Sequence, residues 1–360
     1  MTVRRALFPL SRRRVLAALA AALLLPWGGV RAAPDGDRGP PAAGIVVGSG
    51  RPLPAPATIG RVLAAGPPAG VLVYVLAPDK LAGWPYEISQ EARTLLPAPY
   101  STLPVVGRLA GRGGTIGGET VARLRPDLIV DTGSTDPTYI SLANRIPEQT
   151  GLPYVLIGGR IGDTPATIRT ASDLLGVPGR GEELSAFARR IISGVIDRIA
   201  RHPEVRRPRV YYARNADGLE TGLRGSLNAE AIDFLGAVNV AEGDGQNGIG
   251  RVSLEQVMQW DPDVIIAMAP AFIEEIGRNP MWQSLRAVRD HHVYLAPSLP
   301  FGWIDSPPGV NRVIGVPWLA QKLYPALFPE SIRDDVRDFL RLFYGCVLDD
   351  RALDRLVAGR

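Results

Sequence analysis

His202, His291 and His292 are the only histidines in this 360-residue chain, and Cys346 is its only cysteine. A site for a bare zinc or manganese ion wants several His, Asp or Glu side chains converging on one point. His291 and His292 are adjacent, and at the opening of a strand their rings point apart. His202 stands before a proline at a helix end. No protein-held metal and no resident cofactor are therefore expected. Gly-x-Ser-x-Gly, His-Glu-x-x-His and Gly-x-x-x-x-Gly-Lys-[Ser/Thr] do not occur, so the sequence does not read as an enzyme. The run Gly111–Gly118 has the look of a dinucleotide loop, but the helix it opens meets a proline after about two turns. What remains for chemistry are arginines and aromatic rings. Arginine presents planar, bidentate donors to carboxylate or catecholate oxygens. Trp and Tyr add flat apolar contact with one polar handle. Those residue types suit an anionic, partly aromatic ligand, with a molybdate-like oxyanion held by arginines and loop amides as the alternative.

The elements that must position these groups are written twice. Glu119-Thr-Val-Ala-Arg-Leu-Arg-Pro-Asp-Leu-Ile-Val matches Glu255-Gln-Val-Met-Gln-Trp-Asp-Pro-Asp-Val-Ile-Ile, every matched pair lying 136 residues apart. In each copy a short amphipathic helix begins near the glutamate, whose charge suits the helix N-terminus. The proline stops the helix, and a buried strand follows, Leu128–Val130 in one copy and Val264–Ala267 in the other. A glycine-rich loop precedes each helix. A further helix-then-strand unit follows each strand, ending in Tyr154–Ile157 and in Val293–Ala296. The first half opens with strands expected at Arg61–Ala65, Leu81–Gly83 and Val105–Val106, and the second at Arg209–Ala213 and Asn239–Ala241.

The fold class expected is thus α/β: two βα-alternating lobes joined by one long helix, with a ligand cleft between them. Apolar residues from Leu184 to Ile199 fall at helical spacing and supply the joining helix. The boundaries read as an N-terminal lobe over 58–178, the linking helix over 179–203, a C-terminal lobe over 204–330 and two short amphipathic helices in 331–360. In open α/β sheets ligands sit at the carboxyl ends of the strands. On the first lobe this nominates Pro67, Trp84, Tyr86, Arg112, Ser134, Thr135 and Arg160. On the second it nominates Arg214, Glu220, Arg224, Phe301, Trp303 and Asp305.

Two βα lobes joined by a single helix, with Glu-x-Val-x-x-[Leu/Trp]-x-Pro-Asp-[Leu/Val]-Ile in each, resemble the periplasmic binding proteins for ferric siderophores, cobalamin and haem. The resemblance covers roughly residues 58–345. Gly218–Asn228, Gly302–Pro308 with Asn311-Arg312, and Phe339–Gly345 look like a metal-chelate branch of that family. The resemblance implies capture of a metal chelate, a ferric siderophore first among them. Delivery would be to an ABC permease dimer with its ATPase, any metal arriving already wrapped. It also implies that Glu119 and Glu255 sit on the outer tips of the lobes and enter arginine pockets on the permease. A monomer is expected, and a non-transporting ligand sensor is the rival within the same class.

Charge and the N-terminus point the same way. The net charge of +4 comes from residues 1–32, which hold six arginines and no acid. The remaining 34 basic side chains face 36 acidic ones. No basic cluster marks a nucleic-acid surface. Ser11-Arg12-Arg13-Arg14, an apolar run to Leu25 and Val30-Arg31-Ala32 have the layout of a signal peptide cleaved after Ala32. Its core is too short to span a bilayer. The consecutive arginines resemble a twin-arginine export signal, although Val15 and Ala17 depart from its usual Phe and Lys. No cysteine lies near the cleavage site, so no lipoprotein anchor is expected. Residues 33–57, rich in Pro, Gly and Ala, read as a flexible leader with at most an extended piece at Gly44–Gly48. The mature protein is expected to be soluble and periplasmic.

Overall fold

A computed structural model describes residues 44–48, 51–110, 114–243 and 248–359. The segment expected to be an export signal and Arg112 lie outside them. The first lobe carries β1 (Ile45–Val47), β2 (Val62–Ala64), β3 (Leu128–Gly133) and β4 (Tyr154–Gly158), in the order β1-β4-β3-β2. β2, β3 and β4 are parallel, with Val62 opposite Leu128 and Ile129 opposite Tyr154. β1 joins the edge antiparallel, pairing Ile45 with Ile157 and Val47 with Val155. The second lobe carries β5 (Arg209–Ala213), β6 (Glu220–Gly222), β7 (Val238–Asn239), β8 (Ile249–Arg251), β9 (Val264–Ala267) and β10 (Val293–Leu295). Its parallel sheet runs β10-β9-β5-β7, while β6 and β8 form a separate antiparallel ribbon. The segments Leu81–Gly83 and Val105–Val106, expected as strands, make only the isolated bridges Val62–Leu81 and Trp84–Val105. Prolines at 78, 85 and 104 flank them and deny them a continuous ladder.

The sequence echo is a structural echo in the same register. The helices Gly118–Leu124 and Leu254–Trp260 are seven residues each. Both end in a non-glycine residue at positive φ, Arg125 (45°) and Asp261 (38°), ahead of Pro126 and Pro262. The aspartate after each proline explains the Pro-Asp pair. Asp127 Oδ2 accepts from the amides of Gly60 and Arg61 at 2.8 Å, and Asp263 Oδ2 accepts from the amide of Arg209 at 2.9 Å. Each carboxylate satisfies orphan donors where the neighbouring strand begins, which places helix, turn and two strands in one arrangement in both lobes.

Between the sheets runs Pro178–Ala200, 23 residues and about 34 Å long. Its apolar stripe, with Leu184, Phe187, Ile191, Val195 and Ile199 buried, belongs to one core that also holds Val62 and Val130 of the first lobe and Val210 and Ile266 of the second. The helix Arg312–Leu323 is buried over nearly its whole length and joins the same core. The C-terminal segment adds Arg333–Phe339 and Asp350–Val357. No helix among the described residues is long and apolar enough to cross a membrane.

Candidate functional site

The carboxyl ends of β2 and β3 face loops of the second lobe across a cavity of about 570 Å3. Gly66, Pro67, Pro68, Tyr86, Arg108, Asp131, Gly133, Ser134 and Tyr139 wall it from one side, and Arg214, Leu227, Asn228, Ile249 and Asp305–Pro308 from the other. Glycine is required just behind Gly133 of its wall. A Cβ on Gly159 would sit 2.8 Å from Gly133 Cα, so the chain beyond β4 passes hard against the end of β3.

Arg214 follows β5 and reaches this cavity, as the strand-end rule anticipates, but it is not a loose anion receptor. Its Nε donates to Asp305 Oδ2 at 2.8 Å and its Nη1 to Glu220 Oε1 at 2.5 Å. Asp305 also accepts from Asn228 Nδ2 at 2.9 Å and from the Ser306 amide at 2.7 Å. Burial opposes the Arg214 charge. Asp305, Tyr212 and Glu220 together overcome it, and the guanidinium sits above its usual value. Two carboxylates therefore offset this arginine, and Glu220 acts through Arg214 rather than on the cavity wall.

Tyr86 lines the opposite wall with a buried hydroxyl that has no hydrogen-bond partner among the described residues. Buried polar atoms are nearly always satisfied, so an unpaired donor beside a cavity is a candidate to meet a ligand acceptor. Burial pushes the phenol up, which keeps it a donor. Asp131, in the second half of β3, accepts from Tyr154 Oη at 2.7 Å and from the Thr132 amide at 2.9 Å. Burial raises its carboxyl to about 6, against the lowering effect of those two bonds.

Other residues nominated by the sequence lie elsewhere. Trp84 and Trp303, expected on the cleft wall, are each 0% exposed. Trp84 Nε1 donates to Tyr100 O at 2.9 Å, and its ring packs 5.4 Å from both Tyr74 and Phe301. Trp303 Nε1 donates to Leu299 O at 2.9 Å. With indole N–H satisfied and faces covered, both tryptophans are core residues. Arg160 is exposed, 3.9 Å from Glu230, and Arg224 is exposed, pairing with Glu242 at 3.1 Å; neither walls the cavity. Glu119 and Glu255 are exposed on the first turns of the two echoed helices. Arg108, Asp131, Tyr139 and Asn228 were not nominated, although Asp131 directly continues a strand that was.

Behind the cavity the lobes are tied by a buried ion pair. Arg312 Nη1 donates to Glu230 Oε2 at 2.8 Å and to Leu227 O at 3.2 Å, and its Nη2 donates to Gly159 O. Glu230 Oε1 accepts from the Ile161 amide at 3.1 Å. Arg312 and Glu230, 1% and 8% exposed, thus hold the backbone that leaves β4.

Two parallel-stranded lobes with a cavity between facing strand ends define a bilobal solute-binding protein. A family profile described as periplasmic binding protein matches residues 93–299, and the chain belongs to that family, whose members bind solutes and are not enzymes. It is 27% identical to an ABC transporter solute binding protein from Sulfurospirillum deleyianum, with a TM-score of 0.78 over 85% of this chain and 96% of that one. It is 33% identical over 170 residues to the molybdate-binding protein MolA of Haemophilus influenzae, covering 46% of this chain and 47% of MolA. To the Fe(3+)-citrate-binding protein YfmC of Bacillus subtilis it is 25% identical over 182 residues, covering 49% of this chain and 55% of YfmC. The chain spans about half the length of these curated relatives.

Proposed function

We propose that this protein is the extracytoplasmic solute-binding component of an ABC importer and that it captures an intact metal chelate, a ferric siderophore or ferric carboxylate, for delivery to the permease. The observation that carries this reading is the cavity: about 570 Å3, within the usual range for organic ligands. A wrapped metal fills much of that space, whereas a bare ion leaves most of it to solvent. The lining suits such a ligand, combining Tyr86, Tyr139 and the Pro67-Pro68 and Pro307-Pro308 surfaces with the polar groups of Arg108, Ser134 and Asn228. The match to MolA favours a second reading, in which a molybdate-like oxyanion occupies part of the same cavity. Glu119 and Glu255 are the proposed permease contacts.

Calorimetry with ferric citrate, ferric hydroxamate and catecholate siderophores, haem, cobalamin, molybdate and free zinc separates these readings. Tight binding is expected for a ferric chelate and weak binding for the free ions. Tight binding of molybdate alone supports the second reading, and tight binding of free zinc refutes both.

Tyr86→Phe provides a local check. The lost hydroxyl has no partner among the described residues, so thermal stability should hold or rise. A ligand that accepts from Tyr86 loses one hydrogen bond, about 0.5–1.5 kcal/mol, or roughly two- to tenfold in affinity. Unchanged affinity for the bound ligand would remove Tyr86 from the site.

A further inference from the structure

Asp131 is 5% exposed, stands on the cavity wall, and has no cationic partner among the described residues. Its two oxygens accept one hydrogen bond each, from Thr132 N and Tyr154 Oη. An ionised carboxylate has about four acceptor sites, so those left over can be met only by what enters the cavity from its open side. The titratable groups around it are Tyr154 on β4, Tyr86 and Arg108 on the same wall, Tyr139 on the helix after β3, and Arg214 and Asp305 across the cavity. Arg214 is already balanced by Asp305 and Glu220. A ligand that fills the cavity displaces the water on which an ionised Asp131 depends. Unless that ligand brings a cation or donors to the carboxylate, the charged form loses stabilisation relative to the neutral one.

Building on the ligand site proposed above, we infer that Asp131 takes up a proton when the cavity fills, and so favours oxygen-rich anionic chelates over cationic ligands. As a neutral acid it turns from a repelling charge into a hydrogen-bond donor facing the ligand's oxygens. The sign of the pH dependence follows. In the free protein the group ionises near pH 6, and in the complex it ionises at higher pH. Between the two, binding consumes a proton and affinity falls as pH rises, by up to about tenfold per pH unit.

The test uses ferric citrate and molybdate as probes, with calorimetry at pH 7 in two buffers of different ionisation enthalpy. Uptake approaching one proton per bound anion is expected, and Asp131→Asn should abolish both the uptake and the pH slope. Tyr154→Phe serves as a second variant should Asp131→Asn not fold. It removes a bond that holds the carboxyl down, and should move the fall in affinity to higher pH. Binding without proton uptake, proton release, or equal uptake in Asp131→Asn overturns this inference and leaves the ligand site standing. If neither of these anions and no siderophore of the calorimetry panel binds at millimolar concentration, the functional reading fails and the inference fails with it.

Discussion

Arg312→Ala is expected to lower the unfolding free energy by about 3–5 kcal/mol, the usual cost of removing one partner from a buried ion pair. The carboxylate left behind, Glu230, is 8% exposed. Its nearest other cation, Arg160, is 3.9 Å away and half exposed. The carbonyls of Leu227, Gly159 and Gly309 lose their donor as well. At no more than about 2 °C per kcal/mol, the lower end of the value for about 150–250 residues, the melting temperature should fall by up to roughly 10 °C. Urea unfolding of Arg312→Ala, Glu230→Gln and the double variant checks this. The double variant should cost less than the two single changes added together, because the second change neutralises the charge that the first left stranded. A loss within about 0.5 kcal/mol, typical of a surface substitution, would show that the pair is not part of what holds the lobes.

Loss of uptake is the expected result for Glu119→Ala combined with Glu255→Ala, with affinity for the solute changed less than about twofold, under 0.5 kcal/mol. Both side chains are exposed, on equivalent first turns of equivalent helices, and neither walls the cavity. Neither makes a salt bridge with another described residue. The Glu255 carboxyl, held by its own amide and by the Ser253 hydroxyl, stays below the ordinary glutamate range and so remains charged across physiological pH. Each single variant should retain partial uptake, since the other lobe still docks. Transport assays in cells carrying the cognate permease, paired with calorimetry on the purified variants, separate docking from capture. Full uptake by the double variant, or a large loss of affinity, would contradict the docking role.

The repeated Glu…Pro-Asp segment was legible because its physics is local. A helix start, a proline stop and a strand are set within a dozen residues, and the 136-residue spacing carries through to Asp127 and Asp263. The helix Pro178–Ala200 was legible for the same reason: its apolar stripe repeats over six turns. The cavity wall was only half legible. Tyr86 and Arg214 follow from the strand-end rule. The burial of Trp84 and Trp303 depends on rings and carbonyls brought together by tertiary packing, such as Phe301 against Trp84 across 217 positions of sequence. A tryptophan on a Gly-Pro loop carries no sign of which way it turns. The same holds for Arg214, whose pairing with Asp305 spans 91 residues and converts an apparent anion receptor into an internally balanced group. Asp131 was overlooked because it reads as part of the strand, and only its place on the wall distinguishes it.

The three-residue strand Ile45–Val47 also governs how the chain can be handled as a material. Among the described residues it is the strand that covers that edge of β4, in the antiparallel register Ile45–Ile157 to Val47–Val155. A Cβ on Gly48 would fall 1.9 Å from the carbonyl of Ala143, so this segment lies tightly in its groove. A recombinant form trimmed to begin at residue 51 would expose the amides and carbonyls of Tyr154–Gly158, an apolar five-residue template open to another chain. Two such molecules would meet edge to edge, and what looks like a dispensable leader would prove to be what keeps concentrated protein from self-associating.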